Sequence, residues 1–302
     1  MRRIEKRYYR IGIAAVILLV GLVFTSCTPA SVLWPPTWQE KITAIRWVAY
    51  SPTNADPNQG LEASLESIAQ DLAVLRKAGF SGLVTYSASG VTGKELPRLA
   101  QEQGFDGLIV GVWNPLNQAE VDTAKAVAQS PIVLGYCVGN EGLRVRYEMP
   151  ALVKVIDDLK KTTGKPVTTT EEIDDYLDEK LLNLGDWVFP NVHPYFHRLL
   201  EPELAVTWTK ATYEDMVRRS GQRFVWFKEV GLPTAGDPKG ILSEETQTIY
   251  YQALAKTGVK FVYFEAFDQL WKISLPIEPH WGLFKADRAP KQIILQLFPA
   301  KQ

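Results

Sequence analysis

"LGYCVGNEGL", residues 134–143, closes an apolar run that starts at Ile132 and ends in Gly139-Asn140-Glu141-Gly142. Ile132, Val133, Leu134, Tyr136 and Val138 are strand formers, and they leave neither face of the strand polar. A strand that is apolar on both faces belongs to a parallel sheet covered by helices. The carboxylate of Glu141 stands where that strand stops.

The pattern repeats along the chain. Strand-like runs are read at Ile45–Tyr50, Gly82–Tyr86, Gly107–Val112, Ile132–Val138, Pro166–Thr170, Trp187–Asn191, Arg223–Glu229 and Phe261–Ala266. Helical patterns lie between them. One carries Leu65, Ile68, Leu72 and Leu75 on a single face and stops at Gly79; another opens at Met149-Pro150 and stops before Gly164. Gly104, Gly221 and Gly258 close further helices ahead of strands. Eight such units in about 260 residues predict an α/β chain folded as one (β/α)₈ TIM barrel. A doubly wound open sheet calls for a Gly-rich turn after its first strand, and "WVAYSPTNADP" (47–57) is not one.

The first 27 residues read as a separate segment. A basic head (Arg2, Arg3, Lys6, Arg7, Arg10) precedes an apolar run from Ile11 to Phe24, then Thr25-Ser26-Cys27. The run is short for a spanning helix and fits a secretory signal, and its end resembles a lipobox with Cys27 as the lipidated residue. The alternative is a retained membrane anchor. Both predict an exported, membrane-anchored protein, in the first case a cell-envelope lipoprotein. Residues 28–41, "TPASVLWPPTWQEK", read as a stiff, non-helical Pro-rich tether, and residues 42–302 as the barrel domain.

With a net charge of −1 and no basic patch, nucleic acid is not an expected partner. Cys137, in an apolar strand, reads as a small core residue. His193, His197 and His280 do not pair with cysteines at metal-ligand spacing, and the sequence implies no metal or organic cofactor.

In a TIM barrel the strand C-termini carry the active site. The first three strands end at Tyr50, Tyr86 and Trp113, the fourth at Asn140-Glu141, and the sixth at Asn191, His193 and Tyr195. The seventh ends at Glu229; the eighth is followed by Glu265, Asp268, Trp271 and Lys272. Two carboxylates, Glu141 and Glu229, facing each other among aromatic rings have the constitution of a glycosidase site. Lys228 precedes Glu229, and strict alternation along a strand sends the two side chains to opposite faces, so Lys228 is not expected as its partner.

"VGNEGL" (138–143), "FPNVHPYF" (189–196), "KEVGLPTAG" (228–236), "FEAFDQLWK" (264–272) and "HWGLF" (280–284) occur in that order. Together they resemble glycoside hydrolase family 17, over residues 44–299. The resemblance implies a retaining barrel enzyme acting on β-1,3-glucan, as hydrolase or transglycosylase. It implies Glu141 as acid/base, Glu229 as nucleophile, and Lys272 as a lysine lining the cleft. The turn that in the family reads Glu-Thr-Gly-Trp-Pro-Ser has Val230, Leu232 and Thr234 here, and Gln269 stands where many plant members have Glu. The remaining alternative is a carbohydrate-binding barrel without activity, displayed as a surface lipoprotein.

Overall fold

The computed structural model describes residues 36–298. The expected signal or anchor segment, its Cys27 and residues 28–35 of the tether lie outside the described residues. No helix among the described residues is long and apolar enough to cross a membrane.

Eight parallel strands form the sheet: β1 (Trp47–Ala49), β2 (Gly82–Val84), β3 (Gly107–Val112), β4 (Val133–Val138), β5 (Val167–Thr169), β6 (Asn191–Val192), β7 (Phe227–Val230) and β8 (Phe261–Tyr263). They pair in the order β5-β4-β3-β2-β1-β8-β7-β6. The seam between β5 and β6 closes through an isolated parallel bridge, Glu172–Asn191, and two backbone bonds: Asp186 N–H donates to Val167 O (2.9 Å) and Asn191 N–H to Glu171 O (3.0 Å). The fold is the expected (β/α)₈ barrel.

Side-chain alternation sorts the strands into two cores. Val48, Leu83, Leu108, Val110 and Val133 pack outward against helix residues such as Ile68, Leu72, Leu152 and Ile156. Trp47, Ala49, Val84, Ile109, Leu134, Trp187 and Trp226 fill the inside. Small residues make room for the indoles: a Cβ at Gly82 would lie 2.5 Å from the Trp47 ring, and one at Gly107 2.6 Å from it. The helix Leu65–Lys77 is capped by Ser64 and buries Ile68, Leu72 and Leu75. Leu65, expected on that face, is 40 % exposed because it is the first helical residue and lies at the rim.

The tether ends earlier than its proline content suggests. Pro36–Ala44 is a helix, so residues 36–41 are not a non-helical spacer. Proline is tolerated in a first helical turn, where its missing N–H has no intrahelical partner to lose. Trp38 ties this helix to the barrel: its indole N–H donates to Leu134 O (2.8 Å), and its ring meets Trp187 at 5.1 Å between centroids.

A departure from regular pairing fixes the site. From Phe227 to Val230, β7 takes three steps while β8 takes two, from Phe261 to Tyr263. One extra residue is therefore bulged into β7. Phe227 and Val230 both pack in the outer core, which leaves Lys228 and Glu229 to face the interior together.

Candidate active site

The turn after β4 is built to place Glu141. At Gly139 the backbone has φ +81°, and a Cβ there would lie 2.2 Å from the Tyr147 hydroxyl, so only glycine fits. Glu141 itself adopts φ +47°, a left-handed conformation that costs a non-glycine residue about 1–3 kcal/mol and marks functional sites. The surroundings hold it there. Glu141 N–H donates to Thr170 O (3.2 Å). Buried Glu171 accepts from the Tyr147 hydroxyl (2.9 Å) and from Leu143 N–H (3.3 Å), clasping the rest of the loop.

Glu229 is buried at the end of β7. The Lys228 ammonium donates to its Oε1 at 2.9 Å, and His193 Nε2 hydrogen-bonds its Oε2 at 3.1 Å. Lys228 is therefore the partner of Glu229, against the expectation from strict alternation, and the β7 bulge is the reason. The same ammonium donates to Asn140 Oδ1 and sits 4.2 Å from the centre of the Tyr86 ring. Asn191 Nδ2 donates to Glu141 Oε1 at 2.7 Å.

The two carboxyl groups sit in opposite electrostatic settings. Burial, then the nearby Glu229 charge, raises Glu141 above the ordinary range. Burial also pushes Glu229 upward, but Lys228 and His193 outweigh it and hold the carboxyl at about 2. One acid is thus biased toward its protonated form beside one that stays ionised. Side-chain atoms of Glu141, His193 and Glu229 lie within 4.8 Å of one another. That trio has ligand-type atoms, but the Lys228 ammonium already occupies Glu229 Oε1, and its charge opposes a cation there. The donor set does not fit a resident metal.

The carboxylates open into a cleft of about 1110 Å³ at the C-terminal ends of the strands. Of the expected site residues, Tyr50, Tyr86, Trp113, Asn140, His193, Trp271 and Lys272 line it with Glu141 and Glu229. Tyr50 does so as an anchor: its hydroxyl donates to Asp71 Oδ2 (2.9 Å), which also holds the loop after β1 through Thr53 N–H (2.8 Å). Tyr195, Glu265 and Asp268 are not among the lining residues. Tyr195 packs its ring against Phe196 and Trp281, because the tight turn Pro194–His197 turns Phe196 and His197 to the cleft instead. Fully buried Glu265 accepts from Lys272 Nζ (2.7 Å) and so steadies that lysine. Asp268 accepts from Lys291 Nζ (2.7 Å) and Gly282 N–H (2.9 Å), tying down the 280–284 turn. Cys137 is core: burial raises its thiol to about 12.

Trp281 and Phe196 belong to the site without being sequence candidates, and Lys228 belongs to it although strict alternation turns it away. The "HWGLF" motif carries the signal for Trp281; Phe196 adjoins the chosen Tyr195. Around the carboxylates, the Tyr86 hydroxyl, His193 Nδ1 and the Trp281 indole N–H are buried polar atoms with no hydrogen-bond partner among the described residues. Such atoms call for a ligand or water.

The chain matches the BtgE/BtgC glycoside hydrolase domain over residues 48–282. It is 26% identical over 254 residues to a probable beta-glucosidase btgE of Aspergillus flavus, covering 78% of this chain and 41% of that protein. It is 27% identical over 253 residues to a glucan 1,3-beta-glucosidase of Arthroderma benhamiae, covering 71% and 80%. The chain thus spans about two fifths of the btgE relative's length. Among solved structures, it resembles a glycoside hydrolase family 17 beta-1,3-glucanosyltransferase from Rhizomucor miehei (TM-score 0.71, 21% identity, 83% of this chain and 97% of that one). It also resembles an endo-laminarinase from Formosa (TM-score 0.72, 19% identity, 84% and 86%). At these identities the structural likenesses speak for the barrel fold.

Proposed function

This chain belongs to the BtgE/BtgC glycoside hydrolase domain family, and from that premise we propose a retaining enzyme that acts on β-1,3-glucan chains with Glu229 as nucleophile and Glu141 as acid/base. The carrying observation is the carboxyl pair itself, two acids within 4.8 Å of each other whose protonation is biased in opposite directions. Carboxyl groups about 5 Å apart suit attack by one of them; inverting enzymes need about 6.5–9.5 Å to fit a water.

In the first step a Glu229 oxygen bonds to the anomeric carbon. The glycosidic bond breaks, and Glu141 gives its proton to the leaving oxygen. In the second step Glu141 takes a proton from the acceptor, the acceptor oxygen bonds to the same carbon, and the Glu229 ester breaks. Burial and the Glu229 charge raise Glu141 before the first step. Esterification removes that charge and lets Glu141 fall, as its change from acid to base requires. The Tyr86 hydroxyl, His193 Nδ1 and Trp281 N–H, which have no partner among the described residues, supply hydrogen bonds for sugar hydroxyls. Trp113 and Trp271 offer rings along the cleft.

Hydrolysis and glucanosyl transfer share this intermediate and differ only in the acceptor. Incubation with laminari-oligosaccharides tests the proposal. Shorter products mean hydrolysis, products longer than the input mean transfer, and an unchanged substrate contradicts both. The carbohydrate-binding alternative gains no support from a site this complete. For location, we propose that Cys27 is the lipidated first residue of an exported, membrane-held protein, on the strength of the basic head, short apolar run and Ser26-Cys27. An intact mass that still includes residues 1–26 contradicts this.

A further inference from the structure

On the reading that Glu229 is the nucleophile, we infer that Lys228 is its positioning residue, an ammonium that orients the attacking carboxylate and stabilises it again when the glycosyl ester breaks. The position is costly to build. The Lys228 side chain is 1 % exposed, and taking a cation out of water carries a large desolvation penalty. A buried ion pair adds little net stability over apolar packing of the same volume, so stability alone is a poor reason for it. The β7 bulge adds to the case: without the extra residue, Lys228 and Glu229 would face opposite sides of the sheet.

Three contacts give the ammonium its function. It holds Glu229 Oε1 at 2.9 Å, it holds Asn140 Oδ1 beside the acid/base residue, and it rests against the Tyr86 ring. It therefore joins the ends of β7, β4 and β2 at one point. The groups acting on Glu229 are Lys228 and His193, which favour its charge, and Glu141 and Glu265, which oppose it. Tyr86 and Cys137 complete the surroundings, and both are held neutral chiefly by burial.

When the Glu229 ester forms, one negative charge is lost and the ammonium remains, favouring the ionised form of Glu141. When the ester breaks, the bonding pair returns to Glu229, and the ammonium stabilises the departing carboxylate. The second step therefore depends on Lys228 more than the first.

The test uses the full chain, an activated aryl β-glucoside and laminari-oligosaccharides, with Lys228→Met, Lys228→Gln and Lys228→Arg. Circular dichroism checks that each variant folds, and Gln serves if Met does not. Removing the charge should move the acid limb of kcat/KM up by more than about one pH unit, since an opposite charge at this range shifts a carboxyl by roughly 1–3 units. It should lower kcat on the order of 10²-fold. The aryl glucoside should give a burst equal to the enzyme concentration, followed by slow turnover, because the ester now breaks slowly. Lys228→Arg should recover the acid limb. A folded Met or Gln variant with the wild-type limb and no burst overturns the inference, provided wild type cleaves the substrate and Glu229→Ala does not. If wild type leaves every substrate uncut, the reading of the site fails, and the inference with it.

Discussion

Asn191 and Glu141 come from opposite sides of the β5 strand end and meet at 2.7 Å, with Asn191 Nδ2 donating to Glu141 Oε1. The amide cannot turn over freely, because its Oδ1 accepts from the Thr170 hydroxyl at 3.0 Å. The bond favours the charged form of Glu141 and so opposes the effect of burial. Asn191→Ala removes that opposition and raises Glu141 further. Activity in the first step needs Glu141 protonated, so the basic limb of kcat/KM should move to higher pH. Loss of the aimed hydrogen bond should also lower kcat about tenfold. A pH–rate profile checks both; an unmoved basic limb means Asn191 does not act on the acid.

Two other buried carboxyls set how stability varies with pH. Burial raises Glu171 and Glu265 to about 7 each, in the latter case against the pull of Lys272. Unfolded, both titrate near 4.3. Between those values the folded chain keeps protons that the unfolded chain has lost, so stability falls as pH rises from about 4.3 to about 7. The loss is roughly 3–4 kcal/mol for each group. Glu229 acts the other way: held at about 2, it contributes stability that is lost only as pH falls from about 4.3 toward 2. Urea unfolding at pH 5 and pH 8 should show the higher stability at pH 5. Glu171→Gln should flatten the difference; an equal difference in that variant contradicts the assignment.

The rings of the cleft divide into ligand platforms and packing. Trp113 is 38 % exposed and Phe196 53 % exposed, and both line the cleft, as half-buried Trp271 does. Replacing any of them by Ala should weaken laminari-oligosaccharide binding by about 1 kcal/mol, seen by calorimetry, with little change in Tm. Tyr195→Ala should do the reverse, lowering Tm through lost packing on Phe196 and Trp281. Trp113 carries one complication: the Arg146 guanidinium covers its ring at 4.2 Å from the centre and must share that face with a sugar.

Much of this was legible in the sequence because parallel strands write a simple signal. The reading of β3 as Gly107–Val112 matches its ladder to the residue, since both of its faces are apolar and Asp106 marks its start. β6 was read too early, over Trp187–Asn191, where the ladder is Asn191–Val192. Trp187 and Phe189 were apolar because they fill the barrel interior, not because they pair along a continuous ladder. The positions of Glu141 and Glu229 followed from strand ends alone. The Lys228–Glu229 contact did not, because the period of two assumes a regular strand, and nothing in "FKEV" announces an extra residue. Glu265 and Asp268 read as lining residues for a similar reason: a strand end shows that an acid is near the mouth, but not whether a lysine, Lys272 at the cleft wall or buried Lys291, holds it.

The central claim is that Glu141 and Glu229 have different jobs, and azide rescue measures this most directly. Glu141→Ala should lose turnover on β-glucan but still form the ester from an activated aryl β-glucoside, whose leaving group needs no proton. Azide needs no general base, so it should restore turnover and give the β-glycosyl azide. Glu229→Ala should give the α-glycosyl azide by direct displacement, with the anomer read from the NMR coupling at the anomeric carbon's proton. Exchanged anomers would show the roles reversed. Wild-type rates in either variant without azide would contradict the two-carboxylate account itself.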